Sequence, residues 1–395
     1  MKSWDLGRAE EHLLSLELFG MRFGLERMRR LLTVLGSPQE RFRAVHVVGT
    51  NGKSSTVRFT AALLEAHGVR TGSYLSPHLS SYAERIRIGD ADVSGHDFAA
   101  AIQRTAAAAA KVNRTSSEPV TQFELLTAAA FSELARRDVD VAVVEAGLGG
   151  RWDATNVLGA EVVVLTNVGL EHTRWLGPTI RDIAGEKLAV VREGATLVLG
   201  DDAPEVVELA EQTGARIVRP TPTEADLPGY QRINFSAAVA AAEAILGHPV
   251  TVFPPGLSVP GRLQVVAQRP LTIYDGAHNA PGIAALAASV PEGTVAVLSI
   301  LDDKDAAEML RALLPRLSAA VFTRAPNPRA LPPSTLADIA SKVGGVESEI
   351  EPDPRRAVER ARELAGENGT VLATGSIYLV AELLSAPGQR RASAL

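Results

Sequence analysis

The stretch Val45-His46-Val47-Val48-Gly49-Thr50-Asn51-Gly52-Lys53-Ser54-Ser55-Thr56 limits what the rest of the chain can fold into more than any other. An apolar run stops at a turn with two glycines. A lysine and three hydroxyl residues follow, and then a segment of helical character from Val57 to His67. Strand, tight turn and helix in that order form a phosphate-binding loop. Gly49 and Gly52 let the backbone turn so that successive N–H groups face phosphate oxygens, and the helix N-terminus adds the positive end of its dipole. Lys53 supplies a point charge for the terminal phosphates, and Ser54 or Ser55 can face Mg2+. Only Thr50 and Asn51 separate the glycines, so the loop is shorter than the general Walker pattern. An ordinary glycine turn would not require the lysine and hydroxyls to coincide in this context.

A loop of this kind needs a sheet around it, and 395 residues are enough for two domains. With 46% hydrophobic and 22% charged residues the chain reads as an ordinary globular protein. Its formal net charge of −6 gives no whole-protein attraction to DNA or RNA. The absence of cysteine removes disulfides and thiolate metal sites and fits a reducing compartment. The N-terminus has no apolar core of signal-peptide type, and no apolar run approaches the ~20 residues that span a bilayer. A cytoplasmic enzyme without nucleic-acid or membrane partners is expected, with a monomer as its working form.

Periodicity places helices at Asp5–Leu18 and Leu25–Leu35, the second ended by Gly36. Thr71–Ser76 reads as a short strand stopped by Pro77, and Glu84–Ile88 alternates like a half-exposed strand. Phe98–Val112 and Thr121–Arg137 read as helices around a polar, mobile loop at Asn113–Pro119. Val139–Val144 and Glu161–Leu165 are dense in β-branched residues, as buried parallel strands are, and their alternation with helices defines an α/β protein. Proline and glycine dominate Phe253–Gly261, which suggests a linker. Beyond it strands at Leu271–Tyr274, Val295–Ile300, Ala319–Thr323 and Thr370–Thr374 alternate with helices such as Ala306–Leu314 and Pro354–Ala365. The boundaries expected are 1–253, linker 254–261 and 262–395. The second domain has no phosphate loop of its own and is expected to supply groups to the first.

Chemistry-bearing residues gather where strands end. The Val139–Val144 strand runs into Glu145-Ala146-Gly147-Leu148-Gly149-Gly150-Arg151-Trp152-Asp153-Ala154-Thr155-Asn156. A carboxylate there lies at the sheet edge where open α/β sheets bind ligands, so Glu145 is either a Mg2+ ligand or a solvated strand-end glutamate. The next strand ends at Thr166-Asn167-Val168-Gly169-Leu170-Glu171-His172. Position alone makes His172 structural, since imidazole is an unusual Mg2+ ligand, and makes Lys187 a surface lysine. Asp275-Gly276-Ala277-His278-Asn279 follows a strand and precedes a helix, so it can bind a nucleotide, orient a carboxylate or simply turn the chain. Pro260-Gly261-Arg262 places a guanidinium able to grip a phosphate bidentately.

In their order and spacing these motifs resemble the folylpolyglutamate synthase/dihydrofolate synthase family of the Mur-ligase superfamily. The resemblance runs from Leu18-Phe19-Gly20 to Gly375-Ser376-Ile377-Tyr378-Leu379. It rests most on Gly49–Lys53, Ser76-Pro77-His78-Leu79, Glu84-Arg85-Ile86, Glu145–Asn156, Leu170–His172, Pro260-Gly261-Arg262 and Asp275–Asn279. It implies a P-loop domain with a parallel sheet followed by a smaller Rossmann-like glutamate-ligase domain. The reaction implied is ATP-dependent: a pterin carboxylate, dihydropteroate or a folate, is phosphorylated, and the amine of L-glutamate attacks the acyl phosphate. By resemblance Gly49, Thr50, Asn51, Gly52, Lys53 and Ser54 hold the ATP phosphates, and Asn234, Arg262 and Asp275 also bind nucleotide. Ser76, Glu145 and His172 hold Mg2+, and Lys187 carries a carbamate that helps hold a second Mg2+. Thr121, Gln122, Phe123, Glu124 and Asp153 contact the pterin. Lys53, Lys187 and His172 are the expected catalytic set. Two magnesium ions, Lys53 and Arg262 would offset the repulsion between a carboxylate and ATP.

The chain departs from the family pattern at Ser54, where glycine is common, at Glu171, where aspartate is usual, and at Lys187-Leu188-Ala189-Val190 in place of Lys-Ala-Gly-Ile. Two rival readings are a nucleotide-switch ATPase with a docking domain and another Mur-type amino-acid ligase. A switch would not require Arg262 with Asp275–Asn279, and Thr121–Glu124 argues against a peptidoglycan-type ligase by resemblance.

Overall fold

The β-branched runs become the central strands of two sheets in the computed structural model, which describes residues 3–16, 24–116 and 118–386. The chain divides into one compact unit of Met1–Ala225 with Arg232–Gly256, and another of Asp226–Gln231 with Leu257–Leu395.

The first unit is built on an eight-stranded sheet. Its strands are β1 (Arg43–Val48), β2 (Thr71–Tyr74), β3 (Ile86–Ile88), β4 (Ala91–Asp92), β5 (Val141–Glu145), β6 (Val162–Leu165), β7 (Thr196–Leu199) and β8 (Arg216–Val218), in the order β4-β3-β2-β5-β1-β6-β7-β8. Strands β2, β5, β1, β6, β7 and β8 are parallel, and β3 and β4 add an antiparallel edge. Every residue of β5 and β6 is buried, which is why β6, and β5 up to its terminal Glu145, are unbroken apolar runs rather than alternating. The helices are α1 (Leu6–Leu14), α2 (Glu26–Val34), α3 (Lys53–Ala66), α4 (Gly95–Asn113), α5 (Gln122–Arg136), α6 (Thr173–Leu176), α7 (Ile180–Leu188), α8 (Pro204–Glu211) and α9 (Gln231–Leu246). Because β1 lies between β5 and β6, the chain reverses direction across the sheet at β1, and a crevice opens at the carboxyl ends of these three strands.

The second unit has six strands: β9 (Gln264–Gln268), β10 (Leu271–Tyr274), β11 (Thr294–Leu298), β12 (Leu317–Phe322), β13 (Glu347–Ile350) and β14 (Thr370–Thr374). Their order is β13-β12-β11-β14-β10-β9, and only β9 runs antiparallel. Ile283, Leu286, Leu298, Met309, Leu310, Phe322, Leu336 and Leu372 form its core.

Two expected elements differ. The strand foreseen at Glu84–Ile88 begins only at Ile86. Glu84 and Arg85 instead close a short 3-10 turn, Tyr82–Arg85, whose capping box uses the Ser81 hydroxyl and the Glu84 carboxylate. The first helix ends at Leu14, with Ser15 as its C-cap, rather than reaching Leu18. Leu18, and with it the Leu18-Phe19-Gly20 motif, lies outside the described residues.

Candidate functional site at the carboxyl edge of the sheet

Strand β1 delivers Gly49 with φ 148°, and Gly52 with φ 83° leads into α3. A Cβ on Gly49 would overlap the Thr166 hydroxyl, and one on Gly52 would overlap the Asn234 side chain, so close packing as well as the turn requires glycine. The end of β6 holds the loop. The Asn51 N–H donates to Asn167 Oδ1 (2.9 Å), and Thr166 Oγ1 donates to the Asn51 carbonyl (2.7 Å). Thr50 is buried against this segment, its hydroxyl accepting the Gly169 N–H at 2.9 Å. Lys53 Nζ donates to the carbonyls of Gly49 (3.1 Å) and Thr50 (3.0 Å).

Beside the loop, Glu145 ends β5 with only 2% of its surface exposed. Its two oxygens are both engaged: Ser54 Oγ donates to Oε1 at 3.0 Å and the Ser76 N–H to Oε2 at 3.2 Å. Ser54 therefore makes a bond that a glycine could not. Helix α7 presents Lys187, which is 4% exposed and donates from Nζ to the same Gly49 carbonyl at 2.8 Å. Burial, with the neighbouring charge of Lys53 adding to it, lowers the Lys187 pKa from 10.5 to about 7. Lys187 lines one pocket with Gly49, Lys53, Gly147, Glu171 and His172. His172 adopts a left-handed backbone, φ 53°, and its side chain is 43% exposed, 4.0 Å from Glu171.

Among the described residues no three His, Cys, Asp or Glu side chains form a metal-holding group. The oxygens gathered here, the Ser54 hydroxyl and the Glu145 carboxylate, with the Ser76 backbone beside them, are of the hard kind that suits Mg2+.

The 121–124 segment separates into different jobs. Gln122 is buried and donates from Nε2 to the Leu13 carbonyl (2.7 Å). Thr121 caps α5, and the Glu124 carboxylate accepts both the Thr121 N–H (2.9 Å) and Arg27 Nε (3.2 Å). Phe123 is half-buried, with its ring against Gly147 and 6.2 Å from the Tyr74 ring. Asp153 is buried and shapes the glycine loop, accepting the N–H groups of Leu148 (2.8 Å) and Thr155 (3.0 Å). Burial raises its pKa against the opposing pull of those bonds.

In the second unit Asp275 is fully buried after β10. It accepts the Leu263 N–H at 2.7 Å, the Ala277 N–H at 2.8 Å and the Tyr230 hydroxyl. Arg262 packs its guanidinium over Gly276 and donates from Nη1 to the Gly261 carbonyl at 3.3 Å.

Sequence reasoning passed over Thr166, Asn167 and Tyr230. The first two sit at the end of a strand that was already recognised, which is the usable signal. Nothing local to Tyr230 announces its bond to a residue 45 positions away.

A P-loop sheet with a buried lysine and carboxylate at its edge, followed by a second mostly parallel sheet, defines the ATP-dependent ligases of the Mur type. Residues 47–236 match the Mur ligase middle domain and residues 261–377 the Mur ligase glutamate ligase domain. The chain is 30% identical to the dihydrofolate synthase/folylpolyglutamate synthase of Bacillus subtilis (strain 168), over 97% of each chain. It is similar to Mycobacterium tuberculosis folylpolyglutamate synthase complexed with ADP, with a TM-score of 0.89, 31% identity and 98% and 99% of the two chains covered. It also resembles the bifunctional Yersinia pestis enzyme complexed with AMPPNP and Mn ion, at TM-score 0.84, 28% identity and 96% and 97% coverage. The chain belongs to the folylpolyglutamate synthase/dihydrofolate synthase family.

Proposed function

We propose that this ligase joins L-glutamate to a pterin-bearing carboxylate, dihydropteroate or a reduced folate, through an acyl phosphate made from ATP. The observation that carries this reading is the meeting of Lys53, Lys187 and His172 in one pocket beside the Ser54–Glu145–Ser76 cluster, in a chain matched along 97% of its length by a dihydrofolate synthase/folylpolyglutamate synthase.

The phosphate loop, residues 49–54, would hold the nucleotide phosphates through its N–H groups and Lys53, with Asn234 closing against Gly52. Arg262 and Asp275 would contribute nucleotide contacts from the second unit. Ser76, Glu145 and His172 would hold Mg2+, and a second ion would lie by Lys187; bound there, the metal supplies charge neutralisation for the transferring phosphoryl group. A lysine pKa near 7 leaves a neutral amine available at ordinary pH. That amine can attack the carbon of CO2, releasing a proton to solvent and forming an N–C bond, so a carboxylate replaces the ammonium. Phe123 would stack on the pterin. The acyl carbon is then attacked by the glutamate nitrogen, and phosphate leaves as the tetrahedral intermediate collapses. Positioning and electrostatics supply most of the rate.

The test is phosphate release measured with each component withheld in turn. Release should need both a pterin carboxylate and L-glutamate. Release indifferent to both would replace the ligase reading with that of a nucleotide switch.

A further inference from the structure

Two motifs singled out in the sequence, Ser76-Pro77-His78-Leu79 and Glu84-Arg85-Ile86, have no part in the chemistry above beyond Ser76. They are two ends of one loop. Its base is closed by the β2–β3 pairing, Tyr74 opposite Ile86, and by the Leu75 N–H donating to the Arg85 carbonyl at 2.9 Å. Within the loop the Glu84 carboxylate accepts three successive backbone N–H groups. Leu79 donates to Oε2, and Ser80 and Ser81 donate to Oε1, each at 2.9 Å. Arg85, 2% exposed, donates from Nε to His78 Nδ1 at 2.9 Å, and its guanidinium lies 5.2 Å from the centre of the Tyr82 ring. Residues 78 to 81 are thus held one after another by two adjacent side chains. The held run begins two residues after Ser76, whose N–H meets Glu145 at 3.2 Å.

We propose that Glu84 and Arg85 are positioning residues that hold the 76–81 loop so that Ser76 stays opposite Glu145. A carboxylate accepting three N–H groups replaces the ladder partners that an irregular segment lacks. A loop pinned in advance does not have to be ordered when the cation arrives, so the ordering entropy is not subtracted from metal affinity. Neither residue is among those assigned above to nucleotide, metal or pterin. Their influence runs through backbone geometry, and the inference rests on the reading of Ser76 and Glu145 as the metal-facing pair.

The test uses the full chain without metal first. Hydrogen exchange of the wild type should show the Leu79, Ser80 and Ser81 amides protected. Free exchange there would overturn the clamp whatever the variants do. Glu84→Ala should release those amides and weaken Mn2+ binding, read by electron paramagnetic resonance with AMPPNP present, by roughly tenfold to a hundredfold. Glu84→Gln, which keeps one acceptor oxygen, should fall between wild type and Glu84→Ala and serves if the alanine variant does not fold. AMPPNP affinity without metal should not move, and excess Mg2+ should restore kcat, because the loss lies in metal affinity and not in the chemical step. Glu145→Gln is the reference. If it leaves Mn2+ binding intact, the metal assignment fails. If it abolishes binding while both Glu84 variants bind Mn2+ like wild type, the clamp fails and the assignment stands.

Discussion

Lys53 and Lys187 both donate to one carbonyl, that of Gly49. Their roles separate on substitution. Lys53→Ala should retain the fold and lose at least about a hundredfold in kcat, as removal of a transition-state charge partner does; steady-state rates with circular dichroism as a folding control will check this. Lys187→Ala should be severely impaired and partly restored by acetate, whose carboxylate can occupy the space of a carbamate. Its wild-type amine is neutral above about pH 7, so carbamate formation from CO2 should increase as pH rises through 7. Carbon-13 NMR of protein in labelled bicarbonate can follow the signal, and no signal at any pH, with an unimpaired alanine variant, would remove the carbamate. Ser54→Gly restores the residue common in the family and deletes the 3.0 Å bond to Glu145. Metal affinity should fall by about tenfold or less, measured as the Mg2+ dependence of turnover.

At the scale of elements, β1 carries a liability inside the sheet that serves the loop. His46 is 1% exposed and bonds to Thr155 Oγ1 at 2.8 Å, and burial, with the Arg192 charge, lowers its pKa to about 3. The unfolded chain binds a proton at this site below about pH 6.5, whereas the folded chain does not until about pH 3. Acidification across that window therefore favours unfolding. His46→Asn should remove one titrating proton, flattening the fall in stability by about 1.4 kcal/mol per pH unit, read from urea melts at a series of pH values. Much at this scale was legible from residue pattern. Buried parallel strands announce themselves by unbroken β-branched runs, and Gly49 to Lys53 by their spacing. What was not legible has a physical cause. The Glu84–Arg85 pair alternates like a strand, but its carboxylate is taken up by three N–H groups of the preceding loop. Gln122 and Glu124 carry the family motif yet satisfy groups on distant helices, at Leu13 and Arg27. The short strands β8 and β13 lack an apolar run because much of their surface is exposed.

At the scale of the whole molecule, closure around substrates is the expected working motion, with bending in 254–261. Solution scattering should show a smaller radius of gyration with AMPPNP, Mg2+ and a pterin carboxylate than without them; identical curves would speak against closure. The linker is not the only passage between the two units, however, since Asp226–Gln231 belongs with Leu257–Leu395. Within that small segment Tyr230 donates its hydroxyl to the buried Asp275, and Gly229 with φ 46° packs against Ser289. A protein engineer who severed the gene at the proline-rich stretch and expressed residues 257–395 alone would leave this short piece behind. The orphaned carboxylate would lose its phenol and part of its cover, and the fragment should melt at a lower temperature than one to which residues 226–231 had been grafted. Swapping lobes between relatives would likewise need three cuts, before 226, after 231 and before 257, not one.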